Sequence, residues 1–93
     1  MQPQEIYEQM TRSLIERYGE LISRRDLAKL LDTSPESLGN TLRRNNDLKT
    51  QLLRVNKTRF GRRVFYPAAV VAAVFTFDEE ELLEILEVQG NGH

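Results

Sequence analysis

Ser23 and Ser34 each mark a helix start, and their separation leaves room for only one short helix and a tight turn between them. Ser23 precedes Arg24-Arg25-Asp26-Leu27-Ala28-Lys29-Leu30-Leu31. A serine cap with an acid three residues later resembles a capping box, aspartate standing in for glutamate. Leu27, Leu30 and Leu31 form an inward stripe, which predicts a helix of about two turns. Asp32-Thr33 ends it. Ser34-Pro35-Glu36 then combines a serine cap, a proline at the first helical position and an acid in the first turn. In the second helix, expected over residues 35–44, Leu38 and Leu42 face the core. Glu36, Ser37, Asn40, Thr41, Arg43 and Arg44 are left for the other faces. Two short helices sharing a leucine seam across a tight turn make the helix-turn-helix pattern. Ala28 supplies the small residue where the helices approach. Asp32 stands in the turn where glycine is usual, and aspartate tolerates a left-handed backbone at some cost.

The flanking segments complete a mainly α chain with a small β-hairpin. Ile6, Tyr7, Met10, Leu14 and Tyr18 share one helical face over residues 4–18, and Gly19 is the expected stop. Asp47 can cap a short helix from Leu48 to about Arg54, with Leu48, Leu52 and Leu53 inward. Val55 to Tyr66 is rich in β-branched and aromatic residues around Gly61, which predicts a hairpin turning near Gly61-Arg62. Phe60 and Phe65 are its expected packing residues, with the basic side chains outward. Ala68 to Phe75 reads as a mostly buried helix. Asp78 caps a last helix from Glu79 to about Val88, with Leu82, Leu83, Ile85 and Leu86 as its apolar face. Gln89 to His93 is expected to fray. The resulting division is an N-terminal helix in 1–20, a winged helix-turn-helix in 21–76, an acidic helix in 77–88 and a tail in 89–93.

Composition removes several function classes. The chain has no cysteine, which excludes disulfides, thiol chemistry and thiolate metal sites. Its one histidine is the terminal His93, so no histidine-based metal site or triad is expected, and no cofactor is implied. No apolar run reaches the ~20 residues of a membrane span, and Met1 to Glu5 lacks the features of a signal peptide. The expectation is a cytoplasmic protein with no membrane partner. Nor is an enzyme expected, because no nucleophile–base pair or phosphate-binding glycine loop is present. Glu79-Glu80-Glu81 reads as a solvated helix start, since consecutive helical residues point in different directions.

Charge is distributed unevenly around a net value of −1. Residues 41–63 carry Arg43, Arg44, Lys49, Arg54, Lys57, Arg59, Arg62 and Arg63 against Asp47 alone. Residues 64–93 hold Asp78, Glu79, Glu80, Glu81, Glu84 and Glu87 with no cation. A basic block followed by an acidic end suits a protein with one anionic partner surface.

The order of helix-turn-helix, basic hairpin and apolar helix resembles the DNA-binding domains of excisionase and MerR-type proteins. The most specific part is Gly61-Arg62-Arg63-Val64-Phe65-Tyr66-Pro67, followed by Ala68 to Phe75; residues 21–76 are covered, with the stretch near Asn45 to Leu53 intervening. The resemblance implies a winged helix-turn-helix acting as a small transcription regulator or as an excisionase-like accessory factor of a mobile element. The expected partner is double-stranded DNA, with helix 35–44 in the major groove and a basic wing over 57–66. Ser34, Ser37 and Thr41 can donate to phosphate or bases, Asn40 can read adenine, and Arg43 or Arg44 can read guanine or bind phosphate. Lys57, Arg59, Arg62 and Arg63 form the wing's cationic contacts. A homodimer would set two reading helices one DNA turn apart. The alternative is a protein-interaction module that keeps the fold without binding DNA and recruits a protein partner through the acidic C-terminal helix.

Overall fold

The computed structural model describes residues 2–90. Among these residues the chain is mainly helical, with six helices and a three-stranded antiparallel sheet. Helix α1, Pro3–Tyr18, opens with proline in its first turn and stops at Gly19, whose φ of 88° and amide bond to the Ile15 carbonyl turn the chain away. Leu14 is its buried residue, while Tyr7, Met10 and Tyr18 are half-buried. Ile6, expected on the same inward face, lies nearer the solvent edge of the stripe and is exposed.

Strand β1, Leu21–Ser23, was not foreseen. It is too short for alternation to register, and its partner is remote in sequence. Ser23 then does two jobs: it ends the strand, and its hydroxyl accepts from the Asp26 amide to cap α2, Arg24–Leu30. Leu27 and Ala28 are buried. Leu31, expected to face inward, is exposed because the helix ends at Leu30 and the chain turns there. The turn residue Asp32 has φ 54°, and the amides of Asp32 and Thr33 bond back to the carbonyls of Lys29 and Ala28. This is a Schellman closure with aspartate in the glycine position.

Helix α3, Pro35–Arg44, starts on the Ser34 hydroxyl, which accepts from the Ser37 amide. It buries Leu38, Gly39 and Leu42. Helix α4, Leu48–Asn56, follows with Asp47 as cap and buries Thr50 and Leu53, leaving Leu48 and Leu52 only half-buried. The chain then forms β2, Thr58–Phe60, and β3, Arg63–Pro67, joined by Gly61-Arg62. Gly61 alone of the two has positive φ, 64°, as a two-residue type II′ hairpin requires. The strand order is β1-β3-β2, with Ile22 opposite Tyr66 and Arg59 opposite Val64. The sheet is therefore larger than the expected hairpin by one strand, and Ile22 and Tyr66 are both 0% exposed at its centre.

Residues opposite one another share a face and neighbours alternate. Val64 and Tyr66 consequently point into the core, which leaves Phe65 half-buried on the outer face. Phe60 falls on that outer face at the open edge and is 79% exposed, against the expectation that it packs. Helix α5, Ala68–Thr76, buries Ala68, Val71, Ala72 and Val74 and packs along α1, where the Tyr7 and Phe77 rings lie 5.5 Å apart. Asp78 and Glu81 exchange backbone-to-carboxylate bonds of 2.8 and 3.1 Å, a reciprocal box opening α6, Glu79–Gly90. Leu82 is buried against the body, but Leu83, Ile85 and Leu86, expected on one apolar face with it, are exposed. The helix runs past the expected end at Val88 through Gln89 to Gly90, and the rest of the expected tail lies outside the described residues. No described helix is long and apolar enough to cross a membrane.

Candidate functional site

Helix α3 divides its surface into three stripes. Leu38 and Leu42 face the core. Glu36, Asn40 and Arg43, at helical steps of four and three, line a groove of about 580 Å³ between α3 and the hairpin. Ser37, Thr41 and Arg44 have the same spacing one position later and form an exposed stripe on the flank away from that groove. Ser34 is engaged as the cap, so its hydroxyl oxygen already holds the Ser37 amide. Asn40 accepts a hydrogen bond from the Arg43 guanidinium, which holds the two side chains together over the groove.

The hairpin divides its cations in the same way. Arg59 shares the inner face with Val64 and reaches the groove, together with Lys57 at the C-terminal end of α4. Arg62 sits in the turn, and Arg63 lies opposite Phe60 on the outer face. Of the ten residues singled out from the sequence, four therefore converge in the groove: Asn40, Arg43, Lys57 and Arg59. Ser37, Thr41 and Arg44 face away from it on α3, Ser34 caps that helix, and Arg62 and Arg63 stand at the hairpin tip.

Two further arginines complete the groove, and sequence reasoning missed both. Arg24, the first residue of α2, donates from Nε and a terminal nitrogen to the Tyr66 hydroxyl at 3.2 and 3.1 Å. Its other terminal nitrogen lies 3.4 Å from where a Cβ on Gly39 would stand, so α3 passes close over the guanidinium. Arg54 donates to the carbonyls of Leu42 and Asn45 at 2.7 and 3.2 Å, closing the C-terminal end of α3 from α4. A glycine in the middle of an otherwise well-formed helix was the available signal for Arg24. Nothing local marked Arg54, whose partners are carbonyls of another helix.

The groove thus gathers Arg24, Arg43, Arg54, Lys57 and Arg59 against the single carboxylate Glu36. Cations converging between walls of lower dielectric focus a positive potential and favour a polyanion. Asn40 adds a paired donor and acceptor, and Tyr66 lies on the floor. Such a surface can hold phosphates and present hydrogen-bonding groups to what they carry.

No family model matches this chain. No curated protein and no solved structure matches it either.

Proposed function

We propose that the protein is a winged helix-turn-helix that binds double-stranded DNA, with α3 in the major groove and the β2–β3 hairpin as a basic wing. The observation that carries this reading is the groove in which Arg24, Arg43, Arg54, Lys57 and Arg59 converge beside Asn40. Two features support it further. The exposed stripe of Ser37, Thr41 and Arg44 continues the polar surface of α3 beyond the groove. The helix pair α2–α3 is followed, after the intervening α4, by a hairpin whose second strand pairs with β1, which fits the wing of such a fold. A transcription regulator or an excisionase-like accessory factor of a mobile element is the role that such binding would serve. The acidic α6 packs against α4 rather than on the groove, and leaves the cations available.

The test is fluorescence anisotropy with a short random-sequence duplex across a salt series. Binding on the order of micromolar is expected, weakening steeply as salt rises. Replacing Arg43 and Arg59 together by alanine is expected to flatten the logarithmic salt slope by about 2, since each phosphate contact contributes about 1. No binding at low salt, in protein that is folded by circular dichroism, overturns the reading.

A second reading rests on a different surface. Leu83, Ile85 and Leu86 are exposed on α6, and the last two border an apolar groove of about 430 Å³ with Tyr7, Leu52 and Phe77. That surface suits a protein partner or a second copy of the chain. Sedimentation equilibrium over a concentration series distinguishes self-association from a monomer that keeps the face for another protein.

A further inference from the structure

Phe60 is 79% exposed, the largest fractional exposure among the large apolar residues of the described chain. Its position accounts for this. It ends β2, the open edge of the sheet, and its register partner is Arg63. Arg59 precedes it, and Gly61 and Arg62 form the turn that follows. A Cβ on Gly61 would meet nothing within 4 Å, so the tip stands in open space. Burial of an aromatic ring gains free energy in proportion to area removed from water, and here folding realises little of it.

The surroundings decide what kind of surface the ring meets. Arg63 lies opposite it on the same outer face, and Arg62 sits beside it in the turn. An apolar protein partner would have to desolvate these guanidinium groups without compensating them, which is costly. A nucleic acid offers phosphates to the arginines and flat base surfaces to the ring at once. The hairpin is also suited to push. Its two-residue turn fixes the tip, and β3 is anchored as the central strand by β1 on its other side.

We propose that Phe60 is an intercalating wedge: the wing tip enters the minor groove, and the ring inserts at a base step and bends the duplex. Apolar side chains held this way unstack a step and kink DNA by roughly 20–90°. The inference rests on the DNA-binding reading above. It adds that binding deforms the duplex and that flexible pyrimidine–purine steps under the wing are preferred.

The experiment uses the full chain and a duplex selected by it from a randomised library. Bending is read by energy transfer between labelled ends. Unstacking is read by 2-aminopurine placed at successive steps across the wing-proximal half. With wild type, end-to-end distance shortens and 2-aminopurine brightens at one step. Phe60→Ala leaves circular dichroism and thermal midpoint unchanged, weakens binding roughly tenfold, abolishes the bend and keeps the salt slope. Phe60→Leu, which keeps an apolar wedge without the ring, retains part of the bend. Equal bending by wild type and Phe60→Ala, or no brightening at any step with wild type, overturns the wedge and leaves DNA binding standing. Absence of any duplex binding by wild type overturns both.

Discussion

Arg24 and Tyr66 join the first residue of α2 to the central strand of the sheet: the guanidinium donates two hydrogen bonds, of 3.2 and 3.1 Å, to a hydroxyl on a residue that is 0% exposed. Arg24 is only half-buried, so its charge keeps access to water in the groove while it satisfies a polar atom of the core. The pair holds the helix pair against the hairpin, and thereby fixes the distance between Arg43 on one wall and Arg59 on the other.

Tyr66→Phe keeps the ring and removes the acceptor, and is expected to cost about 1 kcal/mol, a fall of about 5 °C in Tm for a domain of this size. Arg24→Met is expected to cost more, about 2 kcal/mol, because the buried hydroxyl loses its donors. In the double variant both partners are gone, so its loss is expected to fall short of the sum of the two. Urea denaturation of the four proteins measures the coupling; strict additivity would show that the two groups stabilise the fold independently.

Asp32 holds a left-handed backbone, φ 54°, without being glycine or asparagine. The geometry is imposed by the two amide bonds that close α2, from Asp32 to Lys29 and from Thr33 to Ala28. Asp32→Gly relieves the steric cost and is expected to stabilise the protein by about 0.5–1 kcal/mol, even after the entropy lost on ordering glycine. Asp32→Ala is expected to destabilise, as alanine lacks the short polar side chain that eases this conformation. Thermal melts of the three proteins test the order Gly above Asp above Ala.

What was legible in the sequence was local. Ser23, Ser34, Asp47 and Asp78 cap helices through their own next turn, and Gly19 and Gly61 take the positive φ that their turns need. The exposed side of α3 follows from helical spacing alone, so Asn40 and Arg43 could be found there. The rest depended on pairings between distant residues. Strand β1 exists only because β3 binds it, and Arg24 enters the site only through Tyr66. The pleat likewise sends Arg59 inward and Arg63 outward, and puts Tyr66 rather than Phe60 in the core; a one-residue change of register would invert both assignments. The apolar residues of α6 show the converse, since helical spacing marks a face without saying whether the same chain covers it.

Glu36 is the one carboxylate in the cationic groove. Glu36→Gln removes its repulsion toward phosphate and is expected to tighten binding to random-sequence duplex roughly threefold. The helix start loses an acid in its first turn, so a stability loss of a few tenths of a kcal/mol is expected alongside. On a selected duplex the same substitution distinguishes two roles. Tightening there as well means that Glu36 only moderates the field, whereas a loss of affinity confined to the selected duplex means that its carboxylate accepts from a cytosine amine.

Asp47 links the fold to pH. The Thr50 hydroxyl, donating at 2.7 Å, holds its carboxyl below the ordinary value of 3.8, with help from the Thr50 amide and Lys49 and against partial desolvation. A carboxyl whose folded value is depressed stabilises the fold above its unfolded value and loses that contribution as pH falls through the folded one. The window therefore lies below about pH 4. Asp47→Ala removes the cap of α4 and is expected to cost about 1 kcal/mol near neutral pH. The gap between wild type and variant should narrow, without closing, as the solution is acidified through that window, because protonation removes the charged part of the cap while the carboxyl's carbonyl oxygen can still accept. Asp47→Asn keeps a capping oxygen without the charge, and is expected to stay close to wild type near neutral pH while losing less on acidification. Urea midpoints of the three proteins at neutral and acid pH provide the check. A gap between wild type and Asp47→Ala that stays constant through the window would show that the carboxyl's ionisation contributes nothing to holding α4 behind the groove.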